Sequence, residues 1–473
     1  MLFAFQKYIQ PIWYFNVMPF ENSLSYFVDY TKLDESEKYL LDIDYSYHSQ
    51  KGCFADAAYQ AWHKGIMKRD PEYCLFKTTD FQKPHQERVI ELFEDKNVKV
   101  NDEVFVTDIN DNYRFIRRFF SPIICWYILL VRLISLHNPL KEIRGFVKSR
   151  QVKRCDLDDK TSWPYFKNNY DNFNSPLVTR QPKVSVIIPT LNRYKYLKDI
   201  LADFERQDYK NFEVIVCDQS ESFDEGFYQG WDLEIKLIRQ EEKALWLARN
   251  TGIKVANGEY IAFSEDDVRV DSDWLSQHLK CLDFFEADVS SGVFFPQGLE
   301  IPLYKKYFKW ADQFATGNCM IRRQVFEKTG LFDRQFEKQR HGDGEFGLRC
   351  YLMDFLSISN PMAFCKDLKA TTGGLRETGS WDSFRPTTFF AARPIPSVLY
   401  FARKYFGNHL SKLMLLFAVP GSIVPYRYKA QKKLKFLYGT TLIITWPVIL
   451  VQVILSWSRA SEKLRQGSLI DKL

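Results

Sequence analysis

VSVIIPTLNR (184–193), FEVIVCDQS (212–220) and EYIAFSEDDV (259–268) are the stretches that decide the fold. Each joins an apolar, β-branched core to polar residues at its carboxyl end. Apolar runs without alternation belong to strands buried on both faces. The strands expected are Val184–Ile188, Phe212–Cys217, Leu233–Ile238 and Tyr260–Phe263. Between the first two, YKYLKDILADF (194–204) repeats apolar residues at helical spacing. Strand and helix alternate, which implies an α/β fold with a mostly parallel sheet. In such sheets ligands bind beyond the carboxyl ends of the strands. The polar ends of these runs are therefore the places to look for chemistry.

The chain has 473 residues, more than one compact core holds, and two to three units are expected. Its 65 basic and 59 acidic residues leave a net charge of +6, too mild to point to nucleic acid, and no such partner is expected. Aromatic residues make up 16% of the chain, with 40 Phe and 26 Tyr, which suggests membrane contact or sugar stacking. The charge is uneven. From residue 391 onward 13 Lys and Arg face only Glu462 and Asp471. A tail that is basic and apolar reads as a membrane-surface element, attracted by anionic headgroups at ~1 kcal/mol per cation. Nine cysteines without a CxxC pair suit the reducing cytosol and support neither a zinc site nor a disulfide framework. The apolar start, MLFAFQKYIQPIWYF, lacks a basic leader and a cleavage site and is not expected to be a signal peptide.

Three units are expected. Residues 1–178 form a mixed α/β accessory region, with a helix at Cys53–Ile66 and a strand at Glu103–Asp108. Its apolar run 119–131 is too short to cross a bilayer and is either an interfacial helix, given its basic flanks, or a buried one. A scaffold, an acceptor-recognition unit and a partner-docking unit are all admissible roles for this region. A polar stretch, 168–175, marks the boundary to the α/β unit, 179–395. The tail, 396–473, is expected to be helical and membrane-associated. Its run 436–458 is long enough to cross, although Thr440, Thr441, Pro447 and Gln452 dilute it, and a surface-lying pair or a core helix stays open. The basic stretch 427–435 is expected on the cytoplasmic side.

Six elements carry candidate chemistry. Pro189 to Arg193 follow the first strand: Pro189 should stop it, Asn192 could cap the next helix, and backbone groups could face a nucleotide. An ordinary strand-to-helix turn is the plainer reading. Asp218 and Ser220 end the second strand, where a carboxylate can accept a base N–H or simply cap a turn. Arg249 and Asn250 lie on a helix closed by Gly258; a surface ion pair would also explain Arg249. Glu265, Asp266 and Asp267 repel one another unless a cation is near. Their hard oxygens suit Mg²⁺ or Mn²⁺, though a solvated acidic turn is also possible. Asp343, between Gly342 and Gly344, has the character of a positioned general base, the glycines allowing close approach of a substrate. Gly373, Gly374 and Arg376 form a loop able to fold over a diphosphate or an acceptor.

In order and content, VSVIIPTLNR, FEVIVCDQS, ARNTGI, ANGEYIAFSEDDV, TGNCMIRRQVFEKTGLFD and GDGEFGLR resemble the family 2 glycosyltransferases, inverting enzymes of GT-A fold, over about residues 182–380. The resemblance implies a nucleotide-sugar held by Pro189, Thr190, Asn192, Arg193, Asp218, Ser220, Arg249, Asn250, Glu265 and Asp266. It implies a metal at Asp267 with Glu265 and a catalytic Asp343; an acceptor or lid side made by Gly317, Asn318, Glu345, Gly373, Gly374 and Arg376 is expected beside them. Departures exist: Glu265 and Gly342 replace the usual Asp and Glu, no His lies between His341 and His409, and the QxxRW pattern of processive synthases is absent after Asp343. The expected reaction is metal-dependent, inverting sugar transfer to a hydroxyl, with a glycan or lipid-linked acceptor at the cytoplasmic membrane face. A non-catalytic sugar-nucleotide or glycan-binding module is the alternative. A nucleotidyltransferase would need glycines that PTLNRYK lacks.

Overall fold

The computed structural model describes residues 1–17, 26–75, 104–370, 372–374, 382–386, 388, 390–423 and 435–473. Its sheet contains β1 (Val184–Thr190), β2 (Phe212–Asp218), β3 (Ile235–Arg239), β4 (Tyr260–Ser264), β5 (Val268–Val270), β6 (Val289–Pro296), β7 (Lys309–Trp310), β8 (Asn318–Arg322) and β9 (Ser357–Asp367). The order is β3-β2-β1-β4-β8-β6-β9-β5, with β7 on β9. The four expected strands are the parallel half, β3-β2-β1-β4. The other half corrects the mostly parallel expectation: β8 runs antiparallel to β4 and β6, and β9 antiparallel to β5 and β7, while β6 and β9 are parallel. The sheet is mixed.

Local chemistry explains the parallel half. All seven residues of β1 are buried, as a central strand covered on both faces requires. Pro189 does not stop β1, which pairs on to Thr190 opposite Asp218. Nor does Gly258 close the preceding helix, which ends at Val255 with Ala256 extended. Gly258 is there for closeness: a Cβ on it would stand 2.5 Å from Ser185 N.

The N-terminal region is helical, with Gln50–Lys64, Ile109–Phe119, Pro122–Ile134 and Pro139–Lys148 as its longer elements. Its expected β content is corrected. In the described part of 103–108 only Val106 pairs, as an isolated bridge to Phe3. The tail holds Pro396–Ser422, interrupted at Gly407 (φ 74°), and Lys435–Gln466. Among the described residues no helix is long and apolar enough to cross a membrane, so the reading of 436–458 as a crossing finds no support there. Most of the basic stretch 427–435 lies outside the described residues.

The tail instead packs onto the sheet domain. Tyr400 OH donates to Asp333 Oδ2 at 2.8 Å, Lys463 Nζ to Gln335 O at 2.6 Å, and Leu331 N to Asp471 O at 2.8 Å. Buried residues of all three expected units form one continuous apolar cluster.

Candidate active site

β4 ends at Ser264 and β5 begins at Val268, so Glu265, Asp266 and Asp267 occupy the link between them. The end of β1 lies alongside: Thr190 Oγ1 donates to Asp266 Oδ2 at 2.8 Å. The mutual repulsion of the carboxylates is answered by Arg193, whose Nη1 stands 2.9 Å from Asp266 Oδ1 and 3.2 Å from Asp267 Oδ2. The same guanidinium donates to Thr372 O at 2.9 Å and Gly373 O at 3.1 Å, and Gly374 N donates to Leu191 O at 3.0 Å. Arg193 thus ties the Gly-Gly loop to the acidic link. The glycines are required, because both have positive φ and a Cβ on Gly374 would lie 2.6 Å from Arg193 Cζ. Burial pushes Asp266 up to about 6 against the pull of Arg193. Glu265 lines the cavity, with 37% of its side chain exposed there. Enclosure first, and the Asp267 charge second, push it up to about 7.

Arg249, on helix Leu245–Val255, is fully buried, and its guanidinium lies 5.1 Å over the Trp246 ring. Its Nη2 is 3.6 Å from Glu265 Oε1 and donates to Thr316 O at 3.3 Å. Asp343 lies in the first turn of helix Gly342–Leu352, where the partial positive charge of the helix end favours an acid. It is half-buried and its Oδ1 accepts from Gly344 N at 2.8 Å. Of the flanking glycines, Gly344 lines the cavity and Gly342 is needed for packing. A Cβ on Gly342 would lie 2.4 Å from Trp246 Cζ2, and the Tyr14 hydroxyl donates to Gly344 O. Asp343, Arg249 and the acidic triplet line one cavity of about 1160 Å³.

Of the expected residues, Pro189, Thr190, Arg193, Arg249, Glu265, Asp266, Asp267, Gly317, Asp343 and Gly374 line this cavity. Others lie behind it. Asp218 is fully buried; its Oδ2 accepts from the hydroxyls of Tyr194 at 2.6 Å and Tyr228 at 2.9 Å, and its Oδ1 from Ser220 N at 2.8 Å. Ser220 Oγ accepts from Asn192 N at 2.8 Å, and Asn192 Oδ1 from Glu221 N at 3.0 Å, so Asn192 stitches two loops together instead of capping a helix. Asn250 brackets the Phe332 backbone, with Nδ2 to O and Oδ1 from N, both at 2.9 Å. Asn318, expected on the acceptor side, is buried; its Oδ1 accepts from Trp274 Nε1 at 2.8 Å and its Nδ2 donates to Val293 O and Ala363 O. Glu345, expected there too, is fully buried against Arg349 Nη2 at 2.9 Å and the Tyr405 hydroxyl. Gly373 backs the loop through its bond to Arg193, and Arg376 lies outside the described residues.

The structure adds residues that the sequence reading missed. Asp367 ends β9 and pairs in register with Val268, which sets it beside Asp267 in the cavity. The rule of strand carboxyl ends would have found it, had Asn360-Pro361 not disguised β9 as a loop. The N-terminal region supplies an aromatic wall: the Trp13 and Trp62 rings meet edge to face at 5.0 Å, and Lys309 Nζ lies 5.4 Å over Trp62. Burial pushes His63, beside them, down to about 3, so it is neutral. The tail contributes Phe401, whose ring stacks at 5.8 Å on His341. Nothing in the spacing of these residues announces that they meet.

The hard-oxygen donors Glu265 and Asp267 face the cavity, and with Asp266 the link carries three carboxyls against the two guanidiniums of Arg193 and Arg249, which fits a divalent cation. Among the described residues no three His, Cys, Asp or Glu side chains converge as a ready-made metal cluster. A cation held there would complete its shell with ligands from outside the protein.

The family model described as Glycosyl transferase family 2 matches residues 185–346, which run from β1 to the helix carrying Asp343. Those residues form a family 2 glycosyltransferase domain. The domain is 30% identical over 161 residues to Glycosyltransferase GlyA of Streptococcus pneumoniae, covering 33% of this chain and 22% of that one. It is 29% identical over 185 residues to the GalNAc(5)-diNAcBac-PP-undecaprenol beta-1,3-glucosyltransferase of Campylobacter jejuni, covering 34% and 57%. The match therefore spans less than two thirds of either relative. Among solved structures, TarS 1–349 of S. aureus in complex with UDP-GlcNAc overlaps 60% of this chain and 92% of its own at 17% identity and a TM-score of 0.39. That overlap is too loose to bear on the assignment, which rests on the sequence match.

Proposed function

We propose that this glycosyltransferase domain moves a sugar from a nucleotide-sugar to an acceptor hydroxyl with inversion at the anomeric carbon. The observation that carries the reading is that Asp343 and the Glu265–Asp267 link share one cavity with Arg249 between them. In this reading the diphosphate lies over the link, where Arg193 and Arg249 offset its charge. Glu265 and Asp267 would hold Mg²⁺ or Mn²⁺, which supplies charge neutralisation for the departing diphosphate. Asp343 takes the proton from the acceptor hydroxyl as its oxygen bonds to the anomeric carbon. The bond from that carbon to the diphosphate breaks, and the leaving group departs with the electron pair. In-line placement of acceptor, sugar and leaving group matters more here than a covalent intermediate.

The acceptor is proposed to enter from the N-terminal side, where half-buried Trp13, backed by Trp62, offers an aromatic surface and Lys309 a donor. A lipid-linked glycan at the cytoplasmic face of the cell membrane suits the basic, apolar tail and the C. jejuni relative, whose name gives an undecaprenol-linked acceptor. A screen of UDP-, GDP- and dTDP-sugars, with and without Mn²⁺ or Mg²⁺ and read by release of free nucleotide, tests the reading. Cation-stimulated release from one donor is expected. Binding of a nucleotide-sugar without any release, with acceptors supplied, would favour a binding module instead.

A further inference from the structure

Helix Pro122–Ile134 buries Cys125, Ile128, Leu129 and Arg132. At 100° per residue these positions share one face, and Ile123, Trp126, Leu130 and Ile134 share the opposite one. Those four are each more than half exposed, and Leu136, just beyond, is 93% exposed. Helix Pro139–Lys148 repeats the pattern. It buries Glu142, Gly145 and Phe146 and presents Leu140, Ile143 and Val147 outward, with exposed Lys141, Arg144 and Lys148 as a second stripe beside them. Trp126 ties the two helices together, its ring 4.4 Å from that of Phe146. The tail extends this surface. Tyr127 lies 6.2 Å from exposed Phe417, and helix Lys435–Gln466 exposes Trp446, Leu450 and Ile454 on one side.

We infer that the helices at 122–148, together with the tail, form a docking face for an anionic bilayer surface. Charge selects that occupant. Between residues 121 and 151 the only acid is Glu142, buried against Arg132 at 2.7 Å, while Lys141, Arg144, Lys148 and Arg150 are exposed. A second copy of this face would set like charges against one another, whereas anionic headgroups would neutralise them. An apolar stripe beside a basic one on a helix is the arrangement that lies in a membrane interface, with tryptophan at headgroup depth. The face therefore includes a part of the chain remote from the tail in sequence. It also connects to the cavity, because helix Pro396–Ser422 carries Phe401 at the cavity and Phe417 at the face.

The test is co-sedimentation of the full chain with vesicles of phosphatidylcholine, with and without phosphatidylglycerol. The wild type is expected to pellet with the anionic vesicles only. Replacing Lys141, Arg144 and Lys148 by Ser should lower the partition coefficient roughly a hundredfold, and W126E with L130E should abolish pelleting. All five side chains are solvent-facing, so nucleotide release and the urea midpoint should both stay at the wild-type level, and the midpoint reports folding separately. Unchanged pelleting of both variants overturns the inference. So does a shift in solution mass from dimer to monomer without any vesicle binding, which would assign the face to a second copy. Sugar transfer is not presupposed: vesicle binding by a chain that releases no nucleotide would leave this inference standing and remove the other.

Discussion

Replacing Glu345 by Gln should destabilise the protein far more than its distance from the cavity lining suggests. Glu345 and Arg349 are both fully buried, and their contact is 2.9 Å. The guanidinium keeps its bonds to Thr329 O at 2.6 Å and Leu331 O at 3.0 Å after the substitution, but its charge loses its direct ion-pair partner, leaving buried Asp333 as a more distant acid. Breaking one side of such a pair costs about 3–5 kcal/mol. Tyr405→Phe removes only the hydroxyl that donates to Glu345 and should cost about 1.5–3 kcal/mol, the range for a hydrogen bond to a charge. Urea unfolding followed by tryptophan fluorescence reads both as shifts in midpoint. Glu345→Leu combined with Arg349→Met should cost less than Glu345→Leu alone, because the double variant leaves no orphaned charge. Turnover should fall as well, since this pair and Tyr405 anchor the helix that begins at Gly342 and carries Asp343. A Glu345→Gln midpoint within about 1 kcal/mol of wild type would refute the idea that the tail fixes this helix through a buried charge.

Other consequences follow from the same geometry. Burial holds the folded-state pKa of Asp266 at about 6, above its usual 3.8, so its contribution to stability is complete below about pH 4 and is lost as pH rises through 6. The urea midpoint should therefore fall between pH 4 and 7 by on the order of 3 kcal/mol more in the wild type than in Asp266→Asn, and equal slopes would contradict this. Gly342→Ala places a methyl 2.4 Å from Trp246 Cζ2 and should cost about 1–3 kcal/mol of stability and slow nucleotide release; an unchanged melting temperature would show that the contact is not tight. Arg193→Gln removes charged hydrogen bonds to Thr372 O and Gly373 O, so limited proteolysis near residues 372–374 should accelerate at least about tenfold.

The parallel half of the sheet was legible because its strands are unbroken β-branched runs that end in turn residues, and the link at 265–267 and Asp343 lie at the ends where an α/β sheet places ligands. The antiparallel half was hidden. β9 is interrupted by Asn360-Pro361, and β7 is only two residues long. Residue roles failed where helix geometry was needed. Asp343 faces the cavity, so Glu345, two residues on and about 200° around the helix, points into the tail. Arg249 and Asn250 are about 100° apart for the same reason, and only Arg249 lines the cavity. The contributions of Trp62 and Phe401 come from packing between distant segments, which no local pattern encodes.

The measurement nearest the centre of this account compares Asp343→Asn with the wild type in two assays, donor binding and transfer to an acceptor. Transfer should drop about 10²–10⁴-fold while the affinity for the nucleotide-sugar stays close to that of the wild type. Full transfer activity, or a parallel loss of donor binding, would mean that Asp343 is not the group that accepts the hydroxyl proton.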